Sequence, residues 1–260
     1  MELVLKNISK IFCSKESSIK ALDNINLDVK KGEFVCLLGP SGCGKSTALN
    51  IISGLEKPDN NGYIAVEGKP INGPGPDRVV IFQEDALFPW MNVIHNVEFG
   101  LKNKYFPKEK IRPLAEEFLT MVNLLKFKNA YIHTLSGGMK QRVALARALV
   151  LNPKILLMDE PFSSLDAQTR EILQDLVQKI WMITGKTVIF VTHNIREAAF
   201  FGDRVVVFTA SPGRIKKEFK IDLPRPRKIN DLSFIGITNS IRQEIKDEIE
   251  HVMKEEIDNE

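Results

Sequence analysis

The chain has 260 residues, of which 43% are hydrophobic and 27% are charged, and its formal net charge is +3. This balance is typical of a globular protein with one large domain or two small ones, and it excludes a disordered chain and a globally basic nucleic-acid binder. No apolar run is long enough to span a membrane, and residues 1–12 lack the pattern of a signal peptide, so we expect an intracellular protein.

The first part of the chain alternates short apolar runs with turn residues, a pattern that predicts β-strands. These strands are predicted at residues 3–8, 21–29, 33–39, 63–71 and 78–82, and the fourth follows a turn at Asn60, Asn61 and Gly62. A helix interrupts them after residue 44, because apolar residues then recur every three or four positions and Gly54 gives a stop signal. Its apolar positions are Ala48, Ile51, Ile52 and Leu55.

The second part of the chain begins with a helical block and returns to strands. Helices are predicted at residues 93–101, 108–125 and 137–150, and strands at residues 154–159, 186–193, 205–210 and 214–223. The first two of these strands are continuous apolar runs, as expected of parallel strands that are buried on both faces. The helical block therefore reads as a subdomain inserted into a sheet-containing core.

The last 25 residues carry an apolar stripe at helical spacing among Glu and Lys. Its members are Ile237, Ile241, Ile245, Ile249 and Val252. We expect this stripe to pack on its own domain or on a dimer mate; contact with a regulatory or membrane partner is the alternative.

Residues 39–47 read GPSGCGKST and lie between a predicted strand and a predicted helix. They match the phosphate-loop pattern GxxxxGK[ST], in which glycines let backbone N–H groups surround an anion and the following helix adds its positive end. We expect Lys45 to reach the outer phosphates of a nucleotide, Ser46 to bind Mg²⁺ and Thr47 to donate to an inner phosphate. The other members of this predicted site are Gly39, Pro40, Ser41, Gly42, Cys43 and Gly44.

The three cysteines, Cys13, Cys36 and Cys43, have no metal-ligand spacing and do not form an even disulfide set, which fits a reducing compartment. Cys43 lies within the glycine loop. Its thiol is either redox sensitive beside bound phosphates or a small side chain that happens to fit there.

Two acids end the apolar run at residues 154–159. Asp159 would hold the shell of Mg²⁺, and Glu160 would polarise the attacking water, because phosphoryl transfer requires charge neutralisation and an aligned nucleophile. Taken alone, the pair could equally be the solvated end of a strand. The glycine loop makes the catalytic interpretation far more specific.

The segment LSGGMKQR, at residues 135–142, resembles the signature of ABC-type ATPases, and the resemblance covers nearly the whole chain. The matching features in chain order are Phe12, GPSGCGKST, Gln83, LSGGMKQR, ILLMDE, SSLD at residues 163–166, and His193. The resemblance implies an α/β fold, with a P-loop NTPase (RecA-like) core of mostly parallel sheet, an antiparallel β subdomain and an inserted α-helical subdomain. It also implies ATP and Mg²⁺ as ligands.

The resemblance gives roles to three further side chains. Phe12 would stack on adenine, where the family commonly has tyrosine, although a core phenylalanine is the alternative. Gln83 would touch the metal and the water from a mobile loop. His193 would contact the terminal phosphate, although a histidine at a strand end is by itself more often an ordinary polar residue.

Ser136, Gly137 and Gly138 open a predicted helix and so offer a second anion site. The family resemblance implies that two chains pack head to tail, so that this site of one chain completes the phosphate loop of the other. Asp166 would couple the two chains across their interface. Taken alone, it would be an ordinary acidic residue in a turn.

The residues after Gln83 include an apolar group that is costly to expose: Leu87, Phe88, Trp90 and Met91. In the resembling family this region receives a helix of a membrane permease; an internal hydrophobic cluster is the alternative. FPWMNV, SPGRIKKEF and LPRPR are similar to importers of nitrate, sulfonates and taurine. This implies a peripheral protein on the cytoplasmic face of the membrane, which meets a solute-binding protein only through the complex.

Two other functions compete with transport. ABC-type ATPases of DNA repair or translation usually carry coiled coils, zinc insertions or two cassettes, and none is visible in this sequence. A regulator that binds ATP without hydrolysis would be expected to have lost Glu160 or His193. The predicted organisation is a catalytic core with the β subdomain at residues 1–88 and 154–225, a helical subdomain at 89–153 and a helical tail at 226–260.

Overall fold

A computed structural model describes residues 1–14, 17–59, 62–84, 86–102 and 106–258. The chain divides into two compact units: the first comprises Met1–Gly75 and Lys186–Glu260, and the second comprises Pro76–Gly185. The predicted turn residues Asn60 and Asn61 lie outside the described residues. Within the described ranges, no helix combines the length and the low polarity that crossing a membrane requires.

Strands predominate up to residue 81, helices follow up to residue 149, and the remaining described chain combines both. In chain order they are β1 (Leu3–Cys13), β2 (Ser18–Val29), β3 (Phe34–Leu38), α1 (Lys45–Ser53), β4 (Tyr63–Val66), β5 (Lys69–Pro70), β6 (Arg78–Ile81), α2 (Val93–Lys102), α3 (Lys108–Met121), 3₁₀ turns at Leu125–Phe127 and Ile132–Thr134, α4 (Gly137–Leu149), β7 (Ile155–Asp159), α5 (Ala167–Thr184), β8 (Thr187–Thr192), α6 (Ile195–Phe201), β9 (Arg204–Phe208), β10 (Ile215–Lys220) and α7 (Leu232–Asp258).

The first unit contains a four-stranded antiparallel sheet in the order β2-β1-β4-β5. Ile25, Leu27 and Val29 of β2 are buried and alternate with exposed residues, and in β1 Leu3, Leu5 and Ile8 are buried. This alternation is expected of strands with only one covered face. The predicted β-rich start of the chain is therefore present, with β1 extending to Cys13.

The first unit also contains strands in the order β10-β9-β3-β8. The central strand β3 pairs in parallel with both β8 and β9, and all five of its residues are buried. Strand β10 pairs antiparallel with β9 at the edge. The continuous apolar run of β8 thus forms the doubly covered parallel strand that the sequence predicts, and β3 is buried in the same way.

The second unit combines the parallel pair β6–β7 with helices α2 to α5. Helix α2 packs against α3 and α4 through an apolar face that includes Val93, Val97 and Leu101. Helix α3 ends at Met121 and not at residue 125, because Asn123 has φ of +59°, a left-handed conformation that ends helices. Helix α1 of the first unit likewise ends before Leu55, which is exposed.

Helix α7 packs within the first unit against α6. Ile241 and Ile245 of the predicted apolar stripe are buried, and Ile237 is half-buried. Ion pairs fix the same helix to β10, with Lys216 Nζ at 2.9 Å from a Glu248 carboxylate oxygen. This part of the stripe packs on its own unit, whereas the side chains of Ile249 and Val252 lie outside the described part of the chain.

Two arginines of the segment between β10 and α7 cap the end of α6. Arg227 is 5% exposed and its guanidinium donates to the carbonyl oxygens of Ala199 (2.8 Å), Gly202 (2.6 Å) and Ile221 (3.1 Å). Arg225 donates to the Phe201 carbonyl and to Asp203. Burial lowers the pKa of Arg227 to about 10, which leaves it charged at neutral pH. The carbonyl groups at a helix end attract such a cation.

We expect Arg227→Met to lower the free energy of unfolding by about 2–4 kcal/mol, because several carbonyl groups would lose a charged donor in a buried place. Denaturant unfolding monitored by circular dichroism measures this change. Arg196→Met is the matched control, since it removes an exposed arginine from α6. Equal stability of the two variants would contradict the role of Arg227 as a helix cap.

Candidate functional site

The glycine loop lies between the buried strand β3 and helix α1 of the first unit. Gly42 and Gly44 have φ of +76° and +92°, which L-residues rarely adopt. A Cβ on Gly44 would lie 2.5 Å from the carbonyl oxygen of Ala21, whereas a Cβ on Gly42 would meet nothing within 4 Å. The loop therefore needs glycine at position 44 for both its conformation and its packing.

Helix α1 begins directly after this loop and points its N-terminus at it. Gly44 is the N-cap residue and no side chain caps the helix. Ser46 is exposed and Thr47 is half-buried in the first turn. Backbone N–H groups and the positive end of the helix dipole make such a start an anion site.

Lys45 is only 4% exposed, and its ammonium group lies inside the loop. Its Nζ donates to the carbonyl oxygens of Gly39 at 2.9 Å and Pro40 at 2.7 Å. A buried ammonium with neutral partners keeps a strong attraction for an anion. The loop thus concentrates positive charge where a phosphate would bind.

Cys43 is buried behind the same loop. A Cβ on Gly39 would lie 2.7 Å from its sulfur, so the thiol fills space that the loop leaves. Burial raises the pKa of the Cys43 thiol, while the nearby Lys45 acts in the opposite direction. Because the thiolate is the reactive form, the buried thiol fits the interpretation of a small packing residue better than that of a redox sensor.

His193 follows β8 and is exposed. The turn that carries it is fixed on both sides: Thr192 donates its hydroxyl to Glu197 at 2.7 Å, and Asn194 donates its backbone N–H to the Thr192 hydroxyl oxygen at 2.9 Å. The Asn194 side chain also caps α6. The sequence predicts His193 as a site residue but does not predict these hydrogen bonds, although Asn194 and Glu197 have the spacing of a capping box.

Phe12 lies near the end of β1 and is 44% exposed, so it is not a core phenylalanine. The Lys10 ammonium lies 5.3 Å from the centre of its ring. Lys10 is in turn held by Glu56 at 2.9 Å, and this hydrogen bond is the main reason that the pKa of Lys10 is raised. The ring is therefore presented at the surface with a cation against it.

In the second unit, Asp159 ends strand β7, whose other residues are buried, and Glu160 directly follows it. Glu160 has φ of +43°, and its carbonyl oxygen accepts from the backbone N–H and the hydroxyl of Ser163. A left-handed conformation costs an L-residue about 1–2 kcal/mol, and strain of this kind concentrates at functional sites. The acidic pair is thus held at the strand end in a specific turn.

Ser136 caps helix α4 by accepting from the Met139 N–H at 3.4 Å. Gly138 lets α4 approach α5 closely, since a Cβ there would lie 2.3 Å from the Thr169 side chain. Asp166 caps α5 by accepting from the Thr169 N–H at 3.0 Å, which lowers the pKa of its carboxyl. The second unit therefore brings the starts of α4 and α5 together.

Gln83 is exposed after β6, and its backbone carbonyl accepts from the buried Gln141 side chain at 3.3 Å. With it, the second unit holds Gln83, Ser136, Gly137, Gly138, Asp159, Glu160 and Asp166. The first unit holds Phe12, residues 39–47 and His193. Each predicted site residue thus lies at a strand end, a helix start or the loop beside one.

A family profile described as "ABC transporter" matches residues 22–163, more than half of the chain. The chain belongs to the ABC transporter family. It is an ABC-type ATPase with the α/β architecture of that family, as the resemblance of its motifs implies.

Similar proteins cover most of this ABC ATPase. An uncharacterised ABC transporter ATP-binding protein of Methanocaldococcus jannaschii is 51% identical over 96% of this chain and 93% of its own length. A taurine import ATP-binding protein of Pelagibacter ubique is 48% identical, covering 85% of this chain and 83% of its own. A nitrate import ATP-binding protein of Synechocystis is 46% identical, covering 86% and 84%.

A solved structure has the same fold. It is a dimeric ATP-binding cassette in a post-hydrolysis state bound to ADP and phosphate, with a TM-score of 0.74 and 39% identity over 85% of this chain and 100% of that chain. That neighbour is consistent with ATP binding by the present ABC ATPase. The glycine loop of this chain, with its left-handed glycines and the buried Lys45, suits the phosphates of ATP.

Gly42 and Gly44 are a matched pair of positions for testing phosphate binding by the glycine loop. We expect Gly44→Ala to weaken ATP binding by at least about a hundredfold and Gly42→Ala by at most about tenfold, because only the first adds a backbone collision to the strain. Calorimetric titration with ATP measures both affinities, and thermal unfolding controls for folding. Equal losses of affinity would contradict the assignment.

Proposed function

We propose that this chain is the ATP-hydrolysing subunit of an importer that takes up nitrate, taurine, another sulfonate or a related nutrient through a separate membrane permease. The observation that carries this proposal is an exposed aromatic surface on a phosphate-loop ATPase. Trp90 is 69% exposed, although a tryptophan is costly to leave in water. The similarity to nitrate and taurine import proteins supports the choice of solute.

In the proposed site, the first unit binds the nucleotide. Phe12 stacks on adenine, the loop from Gly39 to Gly44 surrounds the phosphates, and Lys45 neutralises the outer ones. Thr47 donates to an inner phosphate, and His193 contacts the terminal phosphate. The left-handed conformations of Gly42 and Gly44 support this placement, since backbone N–H groups in such loops bind anions.

The second unit contributes the catalytic carboxylate, Glu160, which aligns and polarises the attacking water. We propose that Ser46, Gln83 and Asp159 hold Mg²⁺, because hydroxyl, amide and carboxylate oxygens are the donors that this ion prefers. When bound, Mg²⁺ supplies positive charge against the phosphate oxygens. Among the described residues no cluster of three or more His, Cys, Asp or Glu could hold a metal by itself.

We further propose that two chains pack head to tail around ATP. Ser136, Gly137 and Gly138 of one chain would then complete the phosphate site of the other, and Asp166 would lie at the seam. The capped start of α4 supports this role, since a helix N-terminus attracts phosphate. The dimeric cassette among the solved relatives is consistent with it.

The permease contact is proposed at the aromatic surface, defined by Phe88, Trp90 and Phe99. The ring of Phe88 lies 5.5 Å from Trp90 and 4.4 Å from Phe99. The Asn96 side chain fixes the backbone of Phe88 by donating to its carbonyl and accepting from its N–H. The exposure of Trp90 argues against a purely internal cluster. Leu87 and Met91 beside it are half-buried.

This proposal places the protein on the cytoplasmic face of the membrane, in contact with a solute-binding protein only through the complex. The organisation proposed for that task is a core at residues 1–88 and 154–225, a helical subdomain at 89–153 and a helical tail at 226–260. The helical subdomain would carry the aromatic surface to the permease.

The role of Glu160 is tested by Glu160→Gln, which removes the base but keeps the shape. We expect ATP hydrolysis to slow by about 10²–10⁴-fold while the affinity for ATP changes by less than about threefold. The variant should also elute as an ATP-dependent dimer in size-exclusion chromatography. Hydrolysis at the unsubstituted rate would refute the role.

The permease contact is tested by replacing Phe88 and Trp90 with Ser. We expect co-purification with a co-expressed importer permease to fall by at least about tenfold, because a buried aromatic anchor dominates such interfaces. ATP binding should stay unchanged. Ile183→Ser is the control, since Ile183 is exposed elsewhere in the second unit. Full recovery of the complex with the double variant would argue against this surface.

A further inference from the structure

Helix α4 contacts the segment after β6 at two separate points. Near its start, Gln141 is 3% exposed and its Nε2 donates to the Gln83 carbonyl at 3.3 Å. Near its end, Arg147 donates from Nη1 to the Ala86 carbonyl at 2.8 Å. Both contacts lie within the second unit and both are to backbone carbonyls, so they hold the main chain at Gln83 and at Ala86.

Arg147 also contacts the aromatic surface. The centre of its guanidinium lies 5.7 Å from the centre of the Phe88 ring, within the range of a cation–π interaction. A single side chain of α4 therefore holds both the backbone at Ala86 and the ring next to Trp90.

Ala86 requires such a partner. Its φ is +45°, a left-handed conformation that an L-residue adopts only when the surroundings compensate for the strain. The charge-assisted hydrogen bond from Arg147 is a compensating contact at that residue. Two residues later, the Asn96 side chain of α2 holds the backbone of Phe88 by two hydrogen bonds. The segment thus depends on α4 at Ala86 and on α2 at Phe88.

Helix α4 is continuous from Gly137 to Leu149, and Ser136 caps its start. Eleven residues separate Ser136 from Arg147, about 16 Å along a helix. A rigid helix transmits a displacement of one end to the other. Motion of the Ser136 end would therefore move Ala86 and Phe88 through Arg147.

We propose that Arg147 is a positioning residue, which ties the aromatic surface to helix α4 so that ATP bound at Ser136 and the surface that meets the permease move together. This inference rests on the proposed function for the two ends, the ATP contact and the permease contact. It adds a physical link between the ATP contact and the permease contact, and it assigns that link to Arg147, which lies outside the segment LSGGMKQR.

The link is tested with Trp90 as a reporter. Trp181→Phe leaves Trp90 as the single tryptophan, since the chain has two. In this background, we expect ATP with Mg²⁺ to change the Trp90 emission and its quenching by acrylamide. Arg147→Met should reduce this response by at least about fivefold, and Arg147→Lys should restore most of it, because lysine keeps a charged donor.

The control is Arg112→Met, which removes an ion pair with Glu98 in the same unit without touching the segment. Its Trp90 response should match that of the background. A full response in Arg147→Met, an absent response in the background, or equal losses in Arg147→Met and Arg112→Met would each overturn the proposal.

Kinetic measurements distinguish a loss of positioning by Arg147 from general damage to the fold. We expect kcat and KM for ATP of the isolated Arg147→Met chain to stay within about twofold, while stimulation of hydrolysis by the permease in lipid vesicles falls by about tenfold. Loss of the basal activity together with the stimulation would indicate structural damage and overturn the proposal.

The two hypotheses fail in distinguishable ways. If the Trp90 response depends on Arg147 but the Phe88 and Trp90 double variant still binds the permease, the link stands and the proposed permease contact is wrong. If the double variant loses the permease but Arg147→Met keeps the Trp90 response, the contact stands and the link is wrong.

Discussion

The structure of the functional site depends on one constraint: backbone N–H groups must surround an anion without any Cβ in the way. Gly42 and Gly44 give the loop the left-handed conformations that this arrangement needs, and at Gly44 the Ala21 carbonyl also leaves no room for a Cβ. Lys45 adds a buried cation held by two loop carbonyls. Both depend on β3, because a strand buried along its full length gives the loop a fixed starting point.

Other proposed site residues also lie where strands end. His193 follows β8, Asp159 ends β7 with Glu160 directly after it, and Gln83 follows β6. Strand ends carry function in α/β proteins because the sheet fixes them while the loops beyond remain free to change. Side-chain hydrogen bonds, such as the one from Thr192 to Glu197, hold the residues after a strand in a defined turn.

Much of this could be predicted from sequence because its signals are local. About ten consecutive residues are enough to recognise the glycine loop, each of the buried runs of β3, β7 and β8, and each helix of the helical block. What escaped prediction is long-range or conformational. Arg227 lies in the segment LPRPR, and nothing in that segment indicates its carbonyl partner Ala199, which is 28 residues away in the chain. The contact of Arg147 with Ala86 spans 61 positions, and the early end of α3 depends on the left-handed Asn123. The residue roles at the site remain predictions that the geometry supports.

The central claim is that the phosphate loop of one chain and the start of α4 in another bind the same ATP. The most direct test is an experimental structure of the Glu160→Gln variant with ATP and Mg²⁺. The account predicts two chains with the γ-phosphate within about 3 Å of the Ser136 hydroxyl or the Gly138 N–H of the opposite chain. A single chain with ATP in its loop, or a dimer in which the Ser136 region stays away from the phosphate, would contradict it.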